Sequence, residues 1–249
     1  MAWIPSGILK AGSRPFVAPR VAEEELPWID VELHGFYIDL LPYPNEPGAI
    51  PTSNVTREDA DKLCQAKGKR LCTELEWERA CKGPKNWDYE YADLYRGATC
   101  GTGVPADQAA RRPSGERSAC KSDFGVMEMH GGVWEWTSSS WGRNSKEPDL
   151  AVLRGGNAEA GELVGRCANA IARSATTKSA TMGFRCCAGP PNEARVELST
   201  HTGLPFEGIV DPEKSADFLA VVGAKAIDPK IYSANFRVER AWTWRPVAN

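Results

Sequence analysis

A chain of 249 residues with 42 % hydrophobic and 25 % charged residues and a formal net charge of −3 reads as a soluble globular protein, either one large domain or one domain plus an extension. It carries no basic run or concentrated Lys/Arg face, which argues against a nucleic-acid surface. Its longest apolar stretches, such as Phe218 to Val222, are far too short to span a bilayer.

The start, Met1-Ala2-Trp3-Ile4-Pro5, has neither a basic n-region nor an apolar h-region, so it does not read as a signal peptide. Eight cysteines at distinctive spacings nevertheless point to disulfides and an oxidising compartment. The expectation is an extracytoplasmic protein (periplasmic, cell-surface or secreted) whose leader is absent from this chain.

Residues 1 to about 30 are Pro-rich and mixed in charge, as in a surface segment. Val31 to Asp39 alternates apolar and polar residues and predicts one half-buried strand. Pro42 to Pro51, with its run of prolines, is a loop. Thr56 caps a predicted helix from Arg57 to about Lys67, with Asp59 in its first turn and Gly68 at its end. Thr73 opens a second helix with Glu76 completing a capping box; this helix carries Leu75, Trp77 and Cys81 and stops near Gly83-Pro84. Asn54-Val55-Thr56 is also a glycosylation sequon, but the capping role of Thr56 is the simpler reading.

From Asn86 to Met127 no period is sustained, and a stretch this long needs disulfides, ions or dense packing to hold it. Residues 152–187 read as short strands and loops. After Pro190-Pro191 the character shifts: a short helix is predicted over Glu213 to Val222. Phe236 to Trp244 reads as one strand with a bulge near Arg240-Ala241.

The run Met129-His130-Gly131-Gly132-Val133-Trp134-Glu135-Trp136-Thr137 fits no ordinary helix or strand pattern. Its glycines let the backbone turn sharply, its indoles supply a large buried surface, and the acid between them needs a partner. Farther on comes Gly183-Phe184-Arg185-Cys186-Cys187. Together with Trp3 to Gly12, the run Gly68-Lys69-Arg70-Leu71-Cys72-Thr73-Glu74-Leu75-Glu76-Trp77-Glu78 and an Arg154-Gly155-Gly156 step, these motifs stand in the order found in one family. The chain resembles the formylglycine-generating enzymes (sulfatase-modifying factors), an irregular, disulfide-rich α+β variant of the C-type-lectin-like fold. The resemblance covers roughly residues 1–188. The expected organisation is one such domain over 1–189 and a C-terminal extension over 190–249 packed on it.

The resemblance implies an enzyme that oxidises a substrate cysteine with molecular oxygen at copper held by two thiolates, soft ligands that suit cuprous copper. Counted back from Arg166-Cys167, those thiols fall on Asn157 and Glu162, and no cysteine lies between Cys120 and Cys167. No copper site of that kind can be built. The resemblance also implies Cys64–Cys186 and Cys81–Cys167 disulfides. Cys72, in place of the family's proline, and the extra Cys187 adjoin these linked elements and suggest a third pair. Cys100 and Cys120 then pair by elimination. Zinc would favour close Cys-x2–4-Cys pairs with histidines, which are absent.

Calcium is the one cofactor the resemblance leaves in view, since its oxygen ligands map onto residues present here. One site falls on Glu128, Gly131, Val133 and Glu135, the other on Asp93, Leu94, Asp107 and Ala109. The plainer reading is that Glu135 bonds backbone amides in its own turn. The three histidines, His34, His130 and His201, form no triad and no iron ligand set, and no nucleophile elbow, P-loop or dinucleotide fingerprint occurs. The leading expectation is therefore a pseudoenzyme: a non-catalytic, disulfide-stapled binding or structural module that recognises a protein or peptide. The alternatives are an enzyme of altered chemistry around Asn157, Glu162 and Arg173, or a subunit docking a larger assembly through its C-terminal extension.

Overall fold

Both helices begin where their caps are written. In the computed structural model, which describes residues 1–14, 20–21, 24–105, 111–143, 147, 149–196 and the backbone of 236–239 and 243–246, α1 spans Arg57–Gln65 and α2 spans Glu74–Lys82. Each opens on a reciprocal capping box. Thr56 accepts from the Asp59 amide at 3.0 Å and donates its own amide to Asp59 at 3.1 Å; Thr73 and Glu76 do the same at 3.2 and 2.9 Å. The last helix, α3 (Gly97–Cys100), is a single turn inside the irregular stretch.

In chain order the strands of the first unit are β1 (Ala2–Ile4), β2 (Gly7–Gly12), β3 (Pro27–Leu33), β4 (Phe36–Ile38), β5 (Arg70–Leu71), β6 (Trp134–Ser140), β7 (Leu150–Gly155), β8 (Ala170–Ser174), β9 (Met182–Phe184) and β10 (Cys186–Ala188). They form an antiparallel sheet β1-β4-β10-β5, a mixed sheet β8-β7-β6-β9 with β6 and β9 parallel, and a β2-β3 ribbon. Apolar clusters fill the spaces between them: Ile4, Phe36, Ile38 and Trp77 in one, Leu71, Trp136, Leu153 and Phe184 in another, Leu9, Leu33 and Leu75 in a third.

Two sequence expectations change in this unit. The amino-terminal segment is no surface run, since Ile4, Leu9 and Ala11 are fully buried in β1 and β2. The predicted strand over Val31 to Asp39 is two strands broken at His34-Gly35, and they serve different sheets. Gly35 lies under the Trp3 indole, where a Cβ would fall 2.4 Å from a ring carbon. The alternation slips by one residue there, with Val31 and Leu33 buried before the break and Phe36 and Ile38 after it, so the pattern did carry a local sign of the break.

Four disulfides join Cys64 to Cys186, Cys72 to Cys187, Cys81 to Cys167 and Cys100 to Cys120, using all eight cysteines. By its contacts the chain divides into Met1–Leu198 and Ser199–Asn249, so the first unit runs past residue 189. Arg70 donates to the carbonyls of Gly189 and Pro190, Asn192 bonds Glu76 and His34, and Ala194 and Val196 join the third cluster. In the second unit β11 (Phe236–Glu239) pairs antiparallel with β12 (Thr243–Pro246), Val238 opposite Trp244. The single strand expected there is a pair of strands, and the bulge expected near Arg240-Ala241 lies outside the described residues. The predicted helix over Glu213 to Val222, and the packing of the extension, lie outside the described residues.

Candidate functional site

Strand β6 carries the Trp-Glu-Trp run, and its period of two sends the indoles and the acid to opposite faces. Trp134 and Trp136 pack in the cluster with Ala60, Cys64 and Leu153, and Trp136 donates its indole N–H to the Val55 carbonyl at 3.0 Å. Glu135, on the other face, is fully buried. It accepts from Trp77 Nε1 at 2.6 Å, from Arg185 Nε at 2.6 Å and from a terminal nitrogen of Arg185 at 2.8 Å. Arg185 also donates to the carbonyls of Asp39, Leu40, Met127 and Glu128. Burial alone would lower the Arg185 pKa, but the facing Glu135 carboxylate outweighs it and holds the pKa raised. The partner the acid required is the arginine of the Gly-Phe-Arg-Cys-Cys run, so the two motifs are halves of one buried ion pair.

This clamp decides the first calcium expectation. At Glu135 the carboxylate is bound by a guanidinium and an indole. At Glu128 it accepts the amides of Gly115 and Arg117 at 2.9 and 3.1 Å, and the Glu128 backbone sits in the left-handed region at φ 51°. Both carboxylates are engaged by N–H donors, and a cation already neutralises Glu135. As arranged, Glu128, Gly131, Val133 and Glu135 do not fit a calcium ion, which needs several free oxygens converging on one point. Of the second set, Asp93 accepts the Asp88 amide at 3.1 Å and Leu94 is 69 % exposed; Asp107 and Ala109 lie outside the described residues.

Glycine sets the spacing beside the clamp. Gly131 has φ +83°, and a Cβ there would lie 1.9 Å from the Cys100 carbonyl; Gly155 has φ +86°, with the Met129 carbonyl 2.4 Å away. Close approach brings three segments together. Gly131 donates to Gly156 at 2.8 Å, Gly132 bridges Asn157, and Gly103 and Val104 donate to Ala160 and Ala158 at 2.7 and 2.9 Å. The segment carrying Asn157 and Glu162 thus runs alongside the loop after Cys100.

The three cleft candidates are not brought into one site. Asn157 is half-buried. Glu162 is exposed, its carbonyl accepting from the Tyr89 hydroxyl, and Arg173 is exposed on β8 and donates to the Ala172 carbonyl. No hydrogen bond or ion pair joins them among the described residues.

Glu90 was not singled out by the sequence, yet it is the most unusual acid of the region. It is 1 % exposed and accepts the amides of Met129 and His130 at 3.1 Å. The same Oε1 that accepts the His130 amide lies 3.2 Å from His130 Nδ1, 3.1 Å from Cys100 Sγ and 3.2 Å from Cys120 Sγ. His130 is buried edge-on to Trp77, and its Nε2 has no hydrogen-bond partner. Nothing in the local pattern flagged Glu90, because its partners lie 10 to 40 residues away.

Residues 42–189 match the sulfatase-modifying factor enzyme 1-like domain. The chain belongs to this family. It is 31 % identical over 163 residues to the Bos taurus protein named inactive C-alpha-formylglycine-generating enzyme 2, covering 58 % of this chain and 53 % of that one. It is 29 % identical over 173 residues to formylglycine-generating enzyme of Mus musculus, 55 % of this chain and 44 % of that one. Against hercynine oxygenase of Mycolicibacterium smegmatis it is 39 % identical over 101 residues, 37 % of this chain and 22 % of that one. The chain spans about half the length, or less, of these curated relatives. Among solved structures, PvdO from Pseudomonas aeruginosa superposes with a TM-score of 0.60 at 18 % identity over 74 % of this chain and 92 % of that one. CarF does so at 0.57 and 16 %, over 75 % and 96 %. At such identities the likeness is one of fold.

Proposed function

We propose that this chain is a non-catalytic binding or structural module on the sulfatase-modifying-factor fold, working in an oxidising compartment. One observation carries the reading: Asn157 and Glu162 stand where the resemblance requires the two copper thiols, and every cysteine of the chain is tied into a disulfide. A carboxamide and a carboxylate are hard donors that do not hold cuprous copper. The relative named inactive formylglycine-generating enzyme 2 supports the same direction. Disulfides persist outside the reducing cytosol, which supports the location.

Binding falls to the irregular loops displayed by a rigid, stapled base. Leu163 is 42 % exposed beside exposed Glu162, an apolar point next to a charge on the segment that follows Asn157. Such a surface suits a protein or peptide partner.

Two measurements test the reading. Oxygen uptake with copper and a cysteine-containing peptide should not exceed that of copper and peptide alone; a protein-dependent, saturable uptake would overturn it. Capture of a partner by the native protein should be lost in the Leu163→Asp variant at an unchanged melting temperature. Capture that survives this substitution would remove this segment from the proposal.

A further inference from the structure

The four disulfides differ in what surrounds their sulfurs. Three of them sit in apolar clusters, with the Arg185 carbonyl 4.0 Å from Cys72 Sγ: Cys72, Cys81, Cys167 and Cys187 belong to the cluster with Ile4, Phe36 and Trp77, and Cys64 and Cys186 to that with Leu71 and Trp136. The Cys100–Cys120 bridge instead faces one carboxylate oxygen of Glu90 at 3.1 and 3.2 Å. A sulfur in a disulfide carries no proton, so these contacts are not hydrogen bonds. That oxygen is held against the sulfurs by the amide and the ring of His130, while the Met129 amide holds the other carboxylate oxygen.

Remove the sulfur–sulfur bond and the same atoms become a ligand set. Glu90, Cys100 and Cys120 form the one cluster among the described residues whose ligand atoms all lie within 4.8 Å of one another, and all three residues are buried. His130 Nδ1, 3.2 Å from the same oxygen, stands outside that group and must swing toward the sulfurs to serve as a fourth donor, while its buried Nε2 is unpartnered. Two thiolates, an imidazole and a carboxylate are the donors that zinc-like divalent ions take in tetrahedral geometry. For that geometry the sulfurs must part to about 3.8 Å, as follows from zinc–sulfur bonds of about 2.3 Å. Their Cα atoms are 4.9 Å apart, Cys100 at the end of the single turn α3 and Cys120 on a loop, so rotation about the side-chain bonds supplies the change.

We propose that Cys100–Cys120 is a redox-gated metal site: oxidised, the bridge closes it, and two-electron reduction opens a zinc-binding centre of Cys100, Cys120, Glu90 and His130. A dithiol reductant attacks one sulfur through its thiolate, forms a mixed disulfide and leaves as its own cyclic disulfide, delivering two electrons and two protons to the cysteines. The ion then displaces both thiol protons, and the neutral His130 ring binds through Nδ1 with its proton moved to Nε2. Three anionic ligands and one divalent cation leave a net charge of −1; without the ion both cysteines keep their thiol protons. The remaining bridges span 86, 115 and 122 residues against 20 for this one. The fold therefore keeps its long-range staples when the short loop opens.

The test is graded reduction of the full chain with a phosphine, followed by alkylation and mass spectrometry. The first two thiols should map to Cys100 and Cys120. The reduced chain should then take up one zinc per molecule, and cadmium in its place should give a thiolate-to-metal ultraviolet band. The oxidised chain should give neither. Glu90→Gln should weaken zinc uptake by the reduced chain about tenfold or more, and Cys100→Ser/Cys120→Ser should abolish it while still melting cooperatively. First thiols at another bridge, a reduced and still folded chain that takes up no ion, or unchanged affinity in Glu90→Gln would each overturn the proposal. Because Glu90→Gln keeps both cysteines, it decides the matter even if the double serine variant fails to fold.

Discussion

Three bridges tie α1, α2 and the turn between β5 and α2 to β10 and Cys167 across 86 to 122 residues, among apolar side chains. The fourth closes 20 residues of the irregular stretch and faces Glu90 and His130. The acids follow the same division. On the stapled side each buried acid meets a cation: Glu135 meets Arg185, Glu76 meets Arg70, Glu74 meets Arg143 and Arg154, and Glu78 meets Arg154 and Lys82. On the irregular side Glu90 is held by amides and an imidazole, and Glu128 by amides alone. One region spends its charges holding elements together; the other keeps a polar pocket beside a bond that chemistry can break.

The largest effect expected from this contrast is in the bridges themselves. Chain entropy predicts a loss of about 4–5 kcal/mol for Cys64→Ala/Cys186→Ala and about 3 kcal/mol for Cys100→Ala/Cys120→Ala. Denaturant unfolding measures both; equal losses would break the comparison. Next comes Glu135→Gln, which leaves the Arg185 guanidinium buried without its counter-charge and should cost about 3–5 kcal/mol. A melting temperature within a degree or two of the parent would mean that the carbonyls around Arg185 suffice. Thr73→Ala removes one half of the α2 capping box and should cost about 1 kcal/mol, read from the same unfolding curves.

The smallest effect is a slope. Burial alone would raise the Glu76 pKa, but the hydrogen bonds and charge of Arg70 overcome it and hold the pKa below 4.5. A depressed carboxylate contributes stability that is present above its unfolded pKa and is lost as pH falls through the folded one. The melting temperature should therefore decline below about pH 4.5, and Glu76→Gln should flatten that decline. An unaltered acid limb would assign it to the other buried acids.

Local chemistry made part of this legible. Thr56 and Thr73 wrote the helix starts, Gly83 the end of α2, and the close-set indoles around Glu135 announced a buried acid that needed a partner. The family followed from motif order. What the sequence could not carry was any pairing over long separation. It did not show that Arg185, 50 residues on, was the partner of Glu135, nor that a cation there would stand against calcium. The break at Gly35 left a local mark, the one-residue slip of the alternation between Leu33 and Phe36, which a single-strand reading passes over; the pairing of β11 and β12 escaped because a broken alternation reads equally as a bulge. Glu90 escaped for the strongest reason: one acid in a polar loop has no local signature. Composition, caps and short motifs are set within a few residues of chain, where backbone geometry alone decides. Which acid meets an arginine, and which meets a disulfide, was decided only when close packing at Gly131 and Gly155 brought distant segments within 3 Å of one another.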